Sequence, residues 1–185
     1  MMTLVIGGSG SGKSAYAESL LEGVVEKYYI ATMQAEDEES KNRVKRHRQL
    51  RRGKGFFTIE QPRNLGEAAD KIKQYRIHGE TSPKLQSAAL LECISNLVAN
   101  EMFLPEGTRG EQETVQLVIQ GIKKVAAEVD EFVVVSNNVF EDGIRYDDGT
   151  MAYLRGIATI NEQIAKMAER VVEVVVGIPV ELEEN

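Results

Sequence analysis

A single cysteine, Cys93, occurs in the 185 residues, so no internal disulfide can form. A lone thiol inside an apolar run reads as a structural residue in a reducing compartment, and the expected location is cytoplasmic. Long hydrophobic runs are missing as well. None approaches the roughly 20 residues that a membrane span needs. Met1-Met2-Thr3 leads directly into an apolar stretch, which leaves no room for the basic and apolar regions of a signal peptide. Positive charge is in deficit: 22 Lys and Arg against 29 Asp and Glu give a net charge of −7, which argues against a general nucleic-acid binder. Histidine is confined to His47 and His78. What remains, 42% hydrophobic and 28% charged residues, is the composition of an ordinary globular protein. The length fits one domain over residues 1–185.

Against these absences one stretch is rich in content. Gly7-Gly8-Ser9-Gly10-Ser11-Gly12-Lys13-Ser14 satisfies the pattern G-x-x-x-x-G-K-[ST] at every fixed position. Thr3 to Ile6 reads as a short buried strand running into it, and Ala15 to Leu21 as the helix leaving it. Such a loop turns successive backbone N–H groups inward around phosphate oxygens, with glycines supplying conformations closed to other residues. Lys13 is expected to reach the β- and γ-phosphates of a nucleoside triphosphate, ATP or GTP. Ser14 is expected to hold Mg²⁺ through its hydroxyl.

Further along, Tyr28 to Ala31 reads as a second strand with Thr32-Met33-Gln34 at its C-terminal end, where ligands bind in open α/β sheets. Phe56 to Ile59, ending at Glu60, is a third strand, and a helix follows over about 65–75. Ala88-Leu91 ends in Glu92, a position that suits either an acid facing Mg²⁺ or a carboxylate capping the next helix. Val115, Val118, Ile119, Ile122, Val125, Ala126 and Val129 share one helical face. Phe132-Val135 is apolar on both faces, as a central strand is, and Ser136-Asn137-Asn138 follows it. Residues 153–169 read as the last long helix, 171–176 as a strand, and Gly177-Ile178-Pro179 as a turn into the end. Strands alternating with helices imply an α/β fold, a mainly parallel sheet flanked by helices with P-loop NTPase topology.

Charge is unevenly spread. Eight of the 22 Lys and Arg (Lys41, Arg43, Lys45, Arg46, Arg48, Arg51, Arg52 and Lys54) follow the acidic run Glu36-Asp37-Glu38-Glu39. The segment from Asp37 to Arg52 has only Val44 and Leu50 as aliphatic residues, so a helix there has almost no face to bury. Charge alone describes a solvated surface element. His47 adds specific chemistry: among Arg46, Arg48, Arg51 and Arg52 an imidazole is favoured neutral, and a neutral imidazole is a nucleophile. His78 has no such neighbours and reads as a surface residue.

Taken in order, these features resemble the bifunctional adenosylcobinamide kinase/adenosylcobinamide-phosphate guanylyltransferase family of cobalamin biosynthesis. The resemblance is carried by Leu4-Val5-Ile6-Gly7-Gly8 with the P-loop, Tyr29-Ile30-Ala31-Thr32, Arg43-Val44-x-x-His47-Arg48 and Thr58-x-Glu60. It continues through Leu90 to Val98 and Asn100, Val133 to Asn137, Asn161-x-x-Ile164-Ala165, and Val175 to Pro179. It implies a RecA-like fold, a homo-oligomer that is commonly a trimer, and two reactions. A nucleoside triphosphate phosphorylates the aminopropanol hydroxyl of adenosylcobinamide. A histidine, by motif position His47, then takes GMP from GTP and passes it to the cobinamide phosphate. The resemblance also sets Thr32, Met33, Gln34, Arg48, Gln49, Leu50, Arg51, Glu60 and Glu92 where the family contacts nucleotide. The chain departs from the family pattern at Asn138 and at Leu154-Arg155-x-x-Ala158. From the residues alone, a different small-molecule P-loop kinase and a nucleotide-binding regulator without catalysis stay open as readings.

Overall fold

In a computed structural model the described residues are 1–34, 53–77, 86–139 and 143–182. Seven strands form one sheet: β1 (Met2–Ile6), β2 (Glu26–Ala31), β3 (Phe56–Glu60), β4 (Ser87–Glu92), β7 (Glu131–Val135), β8 (Arg170–Val175) and β9 (Ile178–Leu182). Their order across the sheet is β3-β2-β4-β7-β1-β8-β9. All neighbours run parallel except β8 and β9, which pair as an antiparallel hairpin. Two short strands, β5 (Phe103–Leu104) and β6 (Gly107–Thr108), make a separate hairpin. The helices are α1 (Lys13–Ser19), α2 (Gly66–Ile77), α3 (Ile94–Met102), α4 (Glu111–Ala126) and α5 (Asp148–Met167).

The two-residue period of the strands sorts their side chains into two cores. Leu4, Tyr28, Ile30, Ala89, Leu91, Phe132 and Val134 face one side, where they meet Ile72 of α2, Leu97 of α3, Ile119 of α4 and Ile157 of α5. Val5, Tyr29, Ala31, Ala88, Leu90, Val133 and Val135 face the other, against Ala17 of α1 and Leu21. Burying each of the larger side chains contributes about 1.5–3 kcal/mol. Residues buried on both faces explain why β4 and β7 read as continuous apolar runs rather than alternating ones. α4 comes close enough to the start of α2 that a Cβ at Gly121 would stand 2.7 Å from the Leu65 Cβ.

Several boundaries differ from the sequence reading. α5 begins five residues before Tyr153, because the Asp147 side chain caps it by accepting from the Thr150 N–H at 3.0 Å. The stretch Gly177-Ile178-Pro179 is not simply a turn into the end. The chain turns at Val176-Gly177 and returns as β9, where Pro179 is tolerated because the strand lies at the sheet edge. The expected helix from Asp37, with His47, lies outside the described residues, as does His78.

Candidate active site

The phosphate loop connects β1 to α1, as the sequence predicts, and two of its glycines, Gly7 and Gly12, are required by close approaches. A Cβ on Gly7 would lie 2.6 Å from both the Ser11 hydroxyl oxygen and the Val174 carbonyl oxygen. Gly12 has φ 93°, a conformation that favours glycine, and a Cβ there would lie 3.3 Å from the Cα of Gly177. The β8–β9 turn therefore braces the loop from outside, and the Gly177 N–H donates to the Ser11 carbonyl at 2.7 Å. Sequence reasoning missed this brace, since nothing in the local pattern of Gly177 says which loop it touches. On the inner side the Asn138 N–H donates to the Gly7 carbonyl at 3.1 Å.

Lys13, only 8% exposed, folds back so that its ammonium donates to the Gly8 carbonyl at 2.9 Å. Ser14 donates its hydroxyl to the Glu92 carboxylate. That contact follows from strand parity and sheet order. Ala88, Leu90 and Glu92 share a face, and Ala88 and Leu90 belong to the core beneath α1. β7 separates the loop-bearing β1 from β4, yet α1 packs against β1, β4 and β7, which carries Ser14 across to Glu92. The capping alternative for Glu92 is not the arrangement found: Cys93 is the N-cap of α3, and no side-chain cap bond is made there. The Ser14 hydroxyl and the Glu92 carboxylate are hard oxygen donors of the kind Mg²⁺ prefers, so this pair fits a hydrated Mg²⁺. Among the described residues no group of three or more His, Cys, Asp or Glu forms a metal cluster.

The other expected contacts fall into two groups. Thr32 directly follows β2 and is fully buried, whereas Met33 and Gln34 are half-buried. Glu60 ends β3 and is exposed; the register aligns it with Ala31, and Ala31 with Glu92. Two strand spacings thus separate Glu60 from Glu92 along the sheet, about 10 Å. Arg48, Gln49, Leu50 and Arg51 lie, with His47, outside the described residues. Of the departures from the family pattern, Arg155 is exposed and pairs with Glu111 at 3.0 Å, and Ala158 is exposed on α5.

Beside Glu92 the polar groups form a connected cluster. The Cys93 thiol lies 3.0 Å from the Ser95 hydroxyl, which accepts from the Asn137 amide at 2.6 Å, and the Tyr153 hydroxyl donates to the Ser95 carbonyl at 3.2 Å. Burial is the main cause pushing the Cys93 thiol up, with a weaker opposing effect from the Ser95 bond. That setting suits an inert structural thiol. Burial likewise raises the Tyr153 phenol to about 12.

Residues 3–182 match the family model described as cobinamide kinase / cobinamide phosphate guanyltransferase. The chain belongs to this family. Curated relatives agree along the full length. The chain is 33% identical to the bifunctional adenosylcobalamin biosynthesis protein CobU of Escherichia coli K12, covering 98% of this chain and 99% of that one. It is 32% identical to CobU of Salmonella typhimurium, with the same coverage. With CobP of Pseudomonas aeruginosa, another bifunctional adenosylcobalamin biosynthesis protein, it shares 28% identity over 98% of this chain and 97% of that one. Among solved structures, one ATPase domain superposes with a TM-score of 0.56 at 13% identity, over 93% of this chain and 68% of that chain. An ATPase of a bacterial type III secretion system superposes at 0.54 with 10% identity, over 97% and 56%. These two likenesses bear on the fold, and both are to ATPases, in line with the P-loop topology read from the sequence. No helix among the described residues is long and apolar enough to cross a membrane.

Proposed function

We propose that this chain, as one P-loop domain over residues 1–185, phosphorylates adenosylcobinamide at the loop and then guanylylates the product through His47. The observation that carries the first half is the Ser14 hydroxyl held on the Glu92 carboxylate beside a buried, inward-folded Lys13. When nucleotide enters, Lys13 exchanges the Gly8 carbonyl for phosphate oxygens, and the loop N–H groups hold the β-phosphate. Ser14 and Glu92 would hold Mg²⁺, which supplies neutralisation of the charge that develops on the β- and γ-phosphates. The corrinoid's hydroxyl attacks the γ-phosphorus, the bond to the β–γ bridging oxygen breaks, and the nucleoside diphosphate leaves. No covalent protein intermediate is needed for that step.

Guanylyl transfer does need one. An imidazole nitrogen of His47 attacks the α-phosphorus of GTP, pyrophosphate leaves, and GMP stays on the histidine as a phosphoramidate. The phosphate oxygen of the cobinamide phosphate then attacks the same phosphorus, releasing His47 and giving adenosylcobinamide-GDP. Arg48 and Arg51 suit neutralisation of the α-phosphate during both attacks. Family membership supports a cytoplasmic homo-oligomer, for which a trimer is the working expectation.

The test uses GTP labelled on its α-phosphate. The parent should carry acid-labile, base-stable label after denaturation, and His47→Ala should carry none while still phosphorylating adenosylcobinamide. His47→Asn should fail as completely, because an amide is no adequate nucleophile. Label retained in His47→Ala but lost in His78→Ala would move the nucleophile to His78.

A further inference from the structure

The ladder between β2 and β4 ends with Ala31 opposite Glu92, the residue whose carboxylate meets Ser14. Beyond that pair the side chain of Thr32 takes over. Its backbone N–H donates to the Glu92 carbonyl at 3.0 Å. Its hydroxyl oxygen accepts from the Cys93 N–H at 2.7 Å and stands 2.9 Å from the carbonyl oxygens of both Glu92 and Cys93, either of which can take its proton. Thr32 is 0% exposed, and its hydroxyl is engaged by these backbone partners. The Thr32 carbonyl is held in turn by the Asn100 amide at 2.7 Å, and the same NH₂ group donates its second hydrogen to the Pro62 carbonyl at 3.0 Å. Pro62 lies two residues beyond the end of β3, and the Gln61 N–H donates to the Ala31 carbonyl at 2.8 Å.

From this geometry we infer that Thr32 and Asn100 are positioning residues that fasten the C-terminal ends of β3, β2 and β4 together and so set where the Glu92 carboxylate stands against Ser14. The inference rests on reading Glu92 as the acid that faces Mg²⁺. The peptide group that follows Glu92 is tied at both of its polar atoms: the Glu92 carbonyl receives the Thr32 N–H, and the Cys93 N–H is received by the Thr32 hydroxyl. Removing that hydroxyl orphans a buried donor next to the carboxylate, and the backbone must shift to satisfy it. A displacement on the order of 1 Å at a group that orients metal and phosphate costs up to a hundredfold in turnover. Thr32 also fixes the point at which the chain leaves β2 toward the segment that bears His47.

The experiment uses the full chain in the kinase assay, titrating Mg²⁺ at saturating nucleotide, with nucleotide affinity measured separately in the absence of Mg²⁺. Thr32→Val should lower kcat about tenfold or more and raise the half-saturating Mg²⁺ several-fold, with Mg²⁺-free affinity kept within about twofold. Thr32→Ser should restore both kinetic values, because it returns the hydroxyl. Asn100→Ala should move them in the same direction by less. A parental Mg²⁺ requirement in Thr32→Val overturns the inference, and so does a fall in Mg²⁺-free affinity that matches the fall in kcat, which would make Thr32 a direct nucleotide contact. If Thr32→Val does not fold, Asn100→Ala decides by the same two criteria. Glu92→Gln is run alongside. If it shifts the Mg²⁺ requirement and the Thr32 and Asn100 variants do not, only the positioning role falls; if Glu92→Gln itself keeps the parental requirement, the metal reading falls and takes this inference with it.

Discussion

The two ends of β4 carry polar groups in contrasting states. At the N-terminal end, Asp130 accepts from both the N–H and the hydroxyl of the buried Ser87, each at 3.0 Å, and the Asp130 N–H donates to the Ser87 carbonyl at 3.0 Å. These groups answer one another, and the result is a closed structural joint between β4 and the turn into β7. At the C-terminal end, Ser14 leans on Glu92 and Lys13 leans on Gly8, pairings between groups whose chemistry is better matched to phosphate and Mg²⁺. One end of the strand commits its hydrogen bonds to stability. The other holds them in exchangeable contacts supported by Thr32, Asn100 and the Gly177 brace. Buried polar groups at a strand end thus mark function only where the partners can be exchanged for a ligand.

The largest effect that sharpens this contrast is expected from Lys13→Ala. The lysine's ammonium bonds to the Gly8 carbonyl of its own loop, so its loss should leave the thermal midpoint nearly unchanged. Kinase turnover should fall on the order of a thousandfold, as for other groups that stabilise charge on a moving phosphoryl group. Steady-state kinetics and a melting curve on one preparation check both halves, and full turnover by this variant would remove Lys13 from the mechanism.

A smaller effect concerns pH. Tyr153 ionises in the unfolded chain near its ordinary value of 10, whereas burial holds the folded phenol up to about 12. Between those values the unfolded state binds fewer protons, so this contribution is fully present below pH 10 and declines as pH rises from 10 toward 12. Denaturant midpoints measured from about pH 9 to 12 should slope downward across that window, less steeply in Tyr153→Phe. Tyr28, also raised chiefly by burial, contributes in the same direction and leaves a residual slope in that variant. An identical profile in parent and variant would contradict the assignment.

How far the sequence spoke depended on whether a feature was local. The phosphate loop, β1 and the apolar strands β4 and β7 were legible because their signals lie within a few consecutive residues: glycine spacing, lysine-serine at a helix start, runs buried on both faces. Glu92 was legible as a strand-end acid, but its contact with Ser14 depended on α1 packing across β7, which no local pattern contains. Thr32 has a structural tie that no local pattern shows. Its place after β2 pointed to nucleotide, and its hydroxyl serves the backbone of β4, 60 residues away. β9 was overlooked because Gly177 and Pro179 carry turn signals, and only the edge position reconciles proline with a strand.

The most direct test is a paired measurement of kinase turnover and unfolding free energy in Glu92→Gln and Asp130→Ala, one variant at each end of β4. Glu92→Gln should lose turnover on the order of a hundredfold, as when one preorganised stabilising group is removed, with little change in stability. Asp130→Ala should lose about 1–3 kcal/mol of stability, because the buried Ser87 N–H and hydroxyl lose their acceptor, while folded molecules keep the parent's turnover. Turnover and stability falling together in both variants would contradict the division between a structural end and a catalytic end of the strand.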